Sequence, residues 1–95
     1  MPVLNSVELE PRVVRVLGDV LDTDLTGRDT DESLVEVPGV EYDSATVVEA
    51  VVAIESEFEI DVDFAEDDIR YAFRSIGTIT EFVAQKLADK EALRQ

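Results

Sequence analysis

At 95 residues the chain is sized for one small domain, and 8 Lys and Arg against 23 Asp and Glu leave a net charge of −15. That balance argues against nucleic acid, whose phosphates need a basic surface, and favours partners with basic patches, drawn in by long-range attraction. There is no His and no Cys, so neither a disulfide framework nor a thiol or imidazole for nucleophilic catalysis is present.

Leu9, Val13, Leu17, Val20 and Leu21 recur at helical spacing and predict a first helix over Ser6 to Leu21. Pro11 is tolerated in the first turn of a helix, so the helix is expected to begin only a few residues before it. From Asp22 to Asp43 no period is sustained, and Gly27, Pro38 and Gly39 punctuate the segment. A connection of about 22 residues is long for a compact domain, and such loops usually carry function. Leu34, Val35 and Val37 are expected to pin it to the core.

A second helix is predicted from about Ser44 to Phe58. Val47, Val51, Ile54 and Phe58 fall at i, i+4, i+7 and i+11, which makes one apolar stripe. The Val-rich run 46–52 has strand propensity, but its spacing is not period two and the pattern outlasts a strand. A short third helix is expected near Glu66 to Phe73. A fourth is expected over Thr78 to Ala88, opened by a capping box in Thr78-Ile79-Thr80-Glu81 and faced by Ile79, Phe82, Val83 and Leu87. The tail 89–95 either extends that helix or frays. The expectation is one all-α domain over residues 1–95: a four-helix bundle with a helical core over about 6–88, a long loop between helices 1 and 2, and a short third helix.

The acidity is localised. Between Arg28 and Arg70 there is no basic residue, while carboxylates run from Asp29 through Glu49, Glu55, Glu57 and Asp61 to Asp68. Within it, Asp61-Val62-Asp63-Phe64-Ala65-Glu66-Asp67 lacks the fifth-position ligand and sixth-position glycine of a calcium loop, so no metal site is expected. No apolar run reaches the length of a membrane span. Met1 to Asn5 has no basic region followed by an apolar one, so no signal peptide is read there and a cytoplasmic location is expected, without membrane insertion.

Asp43-Ser44 stands where the long loop meets the second helix. Asp and Ser are favoured helix caps, because their side-chain oxygens accept otherwise unpaired N–H groups. A serine with no base beside it is a weak nucleophile. If Ser44 takes part in chemistry, another enzyme acts on it. A capping role and a role as a modified serine are compatible, since a helix start exposes a side chain well.

Asp43-Ser44, the acidic second helix Val47 to Phe58 and its ending Glu55-Ser56-Glu57-Phe58-Glu59-Ile60 together resemble the acyl carrier protein family, whose members bear phosphopantetheine. Arg12 to Asp19 resembles the family's first helix, Ser33-Leu34-Val35-Glu36 the apolar plug of its loop, and Ile69 to Ile79 its third helix and the start of its fourth. The resemblance covers about Val7 to Leu87. Ala45 departs from it, standing where the family usually has Leu or Met, and Glu41-Tyr42 replaces the usual Gly-Ala.

The resemblance implies a four-helix bundle of the acyl-carrier type, a non-enzyme, with a covalent 4'-phosphopantetheine arm on Ser44 attached by a phosphopantetheinyl transferase. Asp43 would lie at the transferase interface. Ala45, Val48, Glu49, Val52, Glu55 and Glu57 would meet basic patches on an acyl- or aminoacyl-loading ligase and on acyl-processing enzymes. Val47, Val51, Ile54, Phe58 and Ile69 would line an interior able to shelter an acyl chain. From the residues alone, ordinary core packing outweighs that role for each of those five; it is also the alternative for Val48 and Val52, and a solvated helix face is the alternative for the carboxylates. A monomer is expected. The alternative is a small acidic helical adaptor that binds basic protein surfaces without modification.

Overall fold

The computed structural model describes the backbone of residues 6–93 and the side chains of residues 9–92; the stretch Met1–Asn5 and the tail residues Arg94 and Gln95 lie outside the described residues. Four helices follow one another: α1 (Ser6–Leu21), α2 (Ser44–Phe58), α3 (Ile69–Ala72) and α4 (Ile76–Leu93), with a single 3₁₀ turn at Leu34–Glu36 inside the α1–α2 loop. No strand occurs among the described residues. α1 packs against both α2 and α4, and α3 against α4. The radius of gyration is 12.9 Å, that of a compact chain of this length.

The core forms where the apolar stripes meet. Leu9, Val13 and Leu17 of α1, Val51 and Ile54 of α2, and Ile79 and Val83 of α4 are fully enclosed. Phe73, just past α3, is enclosed with them and meets Phe82 edge to face at 5.7 Å. Val16 and Ala50 are also buried; they widen the stripes beyond the sequence prediction. Pro11 lies in the second turn of α1, not the first. It has no N–H to give to the Val7 carbonyl, and α1 runs through it all the same.

α1 and α2 end in the same way. Asp22 and Glu59 take left-handed conformations with φ of 52° and 53°. The next residue then reaches back, Thr23 N–H to the Gly18 carbonyl at 3.0 Å and Ile60 N–H to the Glu55 carbonyl at 3.2 Å. This closes the last turn without a glycine at the left-handed position. At Gly18 a Cβ would sit 3.0 Å from the Thr23 carbonyl oxygen, so that approach needs glycine. Lys90 of α4 donates to the Glu59 carbonyl at 2.7 Å and secures the end of α2.

The third and fourth helices begin elsewhere than the sequence suggests. α3 spans four residues, not the expected 66–73. Asp63 Oδ1 accepts from the N–H groups of Ala65 and Glu66, which folds that segment into a turn, and Asp68 then caps the helix through Tyr71 N–H. α4 opens before Thr78. The capping box is Ser75-Ile76-Gly77-Thr78: Ser75 N–H donates to Thr78 Oγ1 at 3.0 Å, and Thr78 N–H to Ser75 Oγ at 3.2 Å. Thr78 to Glu81 has the usual sequence of the box, yet Ile76 and Thr80 are buried and the helix opens at the earlier segment, where Thr78 takes the place of Glu or Gln. Thr80 Oγ1 satisfies itself on the Ile76 carbonyl at 2.8 Å. At its far end α4 continues through the expected tail to Leu93.

The long loop is tied down at several points. Leu25, Leu34 and Val37 are buried, while Val35, expected among them, is 65% exposed. In the 3₁₀ turn Leu34 faces the core and its neighbour faces outward. Leu34 N–H donates to the Arg74 carbonyl at 2.8 Å, and Gly77 N–H to the Thr30 carbonyl at 2.8 Å. A Cβ at Gly77 would stand 3.1 Å from the Thr30 oxygen. Tyr42 Oη donates to the Phe73 carbonyl at 2.6 Å, and burial pushes the phenol's pKa up. The loop is thereby stitched to the α3–α4 junction immediately before α2 begins.

Ile54→Ala is expected to lower unfolding free energy by about 2–5 kcal/mol, the range for emptying an enclosed aliphatic site. Val52→Ala, on the outer face of the same helix, should stay within about 0.5 kcal/mol. Urea unfolding followed by circular dichroism measures both.

Candidate functional site

Asp43 has extended backbone, and its Oδ1 accepts from both the N–H and the hydroxyl of Thr46 at 2.9 Å. The Asp43 carbonyl accepts the first helical bond, from Val47 N–H at 2.9 Å. The bonds from Thr46 hold the Asp43 carboxyl below its ordinary pKa. Ser44 follows as the first residue of α2 and is exposed, and its hydroxyl makes no hydrogen bond to another described residue. Asp43 satisfies the helix end, so the Ser44 hydroxyl is left for solvent.

Ser44 borders a groove of about 370 Å³ between α2, the 3₁₀ turn and α3. Its walls are mostly apolar, from Val35, Val47, Val48, Phe64, Ile69 and Phe73, with Tyr42 beneath and Arg70 and Arg74 at the side. The structure therefore divides the five residues expected to line an interior. Val47 and Ile69 border the groove, while Val51, Ile54 and Phe58 are buried in the core and do not reach it. A second depression, of about 480 Å³, lies along α1 and the turn after it, among Arg15, Asp19, Asp22 and Asp24; it shares no residue with the groove.

The outer face of α2 carries part of the expected contact set. Ala45, Val48, Glu49 and Val52 are exposed and share one helical face at i, i+3, i+4 and i+7. Glu55 and Glu57 are turned inward. Glu55 Oε2 accepts from Val62 N–H at 2.8 Å and so fixes the segment after α2. Glu57 takes Arg12 at 2.8 Å and Arg15 at 3.2 Å, tying α2 to α1. Arg12 also donates to the Glu57 carbonyl and lies over the Phe58 ring at 4.6 Å. The charge of Glu57 is spent inside the fold.

Asp63 and Asp67, from the acidic run after α2, are likewise structural. Asp63 N–H donates to Asp67 Oδ2, and Lys86 pairs with the same oxygen at 2.9 Å, which holds the Asp67 carboxyl below its ordinary pKa. Among the described residues no three His, Cys, Asp or Glu side chains are grouped to hold a metal ion.

Sequence reasoning missed Val35, Phe64, Arg70 and Arg74 as groove residues. Beside Leu34, in a segment without a period, Val35 reads as core. Phe64, an aromatic alone among carboxylates with no periodic partner, was the available signal; it is 55% exposed. No helix among the described residues is long and apolar enough to cross a membrane. In comparisons with known proteins, no family model matches the chain, and neither a curated protein nor a solved structure matches it.

Two outcomes follow. Glu57→Gln is expected to lower stability by about 1 kcal/mol, since it strips the arginines of their carboxylate partner, whereas Glu49→Lys leaves stability within about 0.5 kcal/mol; thermal melts at low and high salt read both. The lowered pKa of Asp43 predicts a stabilising contribution that is full above the ordinary value of 3.8 and is lost as pH falls through the folded-state value. Asn also caps well but does not titrate. The stability advantage of the parent over Asp43→Asn should therefore shrink as pH falls below that value, measured by urea unfolding of both proteins across the range.

Proposed function

We propose that the protein is a carrier, holding an acyl or aminoacyl group as a thioester on a 4'-phosphopantetheine arm joined to Ser44, and presenting it to partner enzymes of fatty acid, polyketide or related biosynthesis. The observation that carries the reading is an exposed, unbonded Ser44 hydroxyl at the start of α2, beside an apolar groove. The arm supplies the thiol that this chain lacks. The residues fit such a group: the hydroxyl is reachable, and Val47, Ile69 and Phe73 offer a surface along which an apolar chain can lie.

In the proposed modification, Ser44 Oγ attacks the phosphorus of coenzyme A that carries the pantetheine. The new ester bond forms as the pyrophosphate bond breaks. Adenosine bisphosphate leaves, and the serine proton passes to a base of the transferase. The protein contributes position rather than chemistry, consistent with a chain that has no His and no Cys. Partner enzymes with basic patches would meet Ala45, Val48, Glu49 and Val52. Exposed charges of this kind chiefly set encounter rate and salt dependence, which suits a carrier that visits several enzymes and leaves each quickly.

The same exposed apolar pair, Val48 and Val52, flanked by Glu49, also supports the adaptor reading, in which basic proteins dock without modification. One experiment separates the two. The protein is incubated with a promiscuous phosphopantetheinyl transferase, coenzyme A and magnesium, and its intact mass is measured. A carrier gains one arm and Ser44→Ala abolishes the gain, with an unchanged circular dichroism spectrum. An unchanged mass of the parent protein sinks the carrier reading and leaves the adaptor.

A further inference from the structure

Most Lys and Arg side chains among the described residues have an oxygen partner within the fold. Arg12 and Arg15 share Glu57, Arg28 holds Glu32 at 2.9 Å, Lys86 holds Asp67, and Lys90 holds the Glu59 carbonyl. Arg70 and Arg74 have no carboxylate partner among the described residues. Both are exposed, and both border the groove that Ser44 borders. In a chain of net charge −15, carboxylates are plentiful and an unpaired arginine is the exception. Asp43 is the one carboxylate bordering the same groove, and it accepts from Thr46 and pairs with neither arginine. Arg74 packs over the Tyr71 ring, its Cζ 5.7 Å from the centroid; stacking of this kind leaves the in-plane N–H donors of a guanidinium available.

We propose that Arg70 and Arg74 hold the phosphodiester linking the arm to Ser44, and so lay the arm against Val47, Ile69 and Phe73 instead of leaving it in solvent. The inference rests on the carrier reading. A phosphodiester on Ser44 adds an anion next to the exposed carboxylate of Asp43, a repulsion that neighbouring cations offset. Guanidinium groups suit this role, because their forked donors match two phosphate oxygens at once. Both arginines are open to water, so the contact is screened by salt, and the arm is released when a partner supplies competing cations.

The test compares unmodified and modified protein by intact mass and by ¹⁵N and ³¹P nuclear magnetic resonance. Modification is expected to shift the backbone amides of Val47, Ile69 and Phe73. In Arg70→Gln/Arg74→Gln those shifts should fall by roughly half or more, and the phosphorus resonance should move towards that of the free arm, as two charge-assisted contacts are lost. Arg70→Lys/Arg74→Lys should restore part of the effect. Salt near 1 M, where the screening length is about 3 Å, should reproduce the loss in the parent protein, which tests the contact without any substitution. A gain in mass with no amide shifts, or with shifts that survive both the double Gln substitution and high salt, overturns the inference and leaves the carrier reading standing. No gain in mass overturns both.

Discussion

The arrangement depends on how a 22-residue connection is held in one conformation. Buried Leu25, Leu34 and Val37 anchor it by their side chains, and Thr30, Leu34 and Tyr42 anchor it by hydrogen bonds to Gly77, Arg74 and Phe73. A loop of this length left free would carry a large conformational entropy. Stitched to the α3–α4 junction, it delivers Asp43 to the head of α2 in extended backbone, where the carboxylate can cap the helix. Ser44 is then exposed because the residue before it has met the helix's needs. Tyr42, Phe73 and Arg74, which take part in these bonds, also line the groove, so one set of contacts places both the hydroxyl and the surface beside it.

Charge is used in two ways. Within the fold, scarce cations are matched to particular acceptors: Arg12 and Arg15 join α1 to α2 through Glu57, Lys86 joins α4 to the turn before α3, and Lys90 secures the end of α2. Such part-exposed pairs each contribute little alone, but they sit where helices must be held to one another in a small core. Outside the fold, the surplus of carboxylate is left to solvent. The face of α2 with Ala45, Val48, Glu49 and Val52 belongs to that second set, and Glu55 and Glu57, from the same helix, belong to the first.

The proposed carrier role follows from this separation. The hydroxyl and the groove lie at the start of α2, beside its outer face, while among the described residues the core holds no ionisable side chain; its buried polar residues there are Ser75 and Thr80, both hydrogen bonded. On the proposed reading the protein offers a fixed point of attachment and a surface to rest upon, with the reactivity brought by other molecules.

The helical stripes were legible in the sequence because burial in a helix leaves a period, and Leu9, Val13, Leu17, Val51, Ile54, Ile79 and Val83 keep it. The Asp43-Ser44 start of α2 was legible because capping is a local bond between near neighbours. Choices between locally equivalent options were not. Ser75 and Thr78 both carry a hydroxyl able to cap a helix, and with Ile76 and Thr80 buried the helix opens at the earlier of them. Val35 and Leu34 look alike in a segment without a period, and the turn of the backbone decides which is inside. Glu49 and Glu57 are both carboxylates on an acidic helix, and the position of Arg12 and Arg15 on α1 decides that one is spent and the other free. The sequence by itself determined the long helical stripes and the serine at the start of α2, since those arise from contacts between neighbours in the chain. The tertiary structure alone decided the groove and its unpaired arginines, since those depend on residues far apart in sequence being brought to one place.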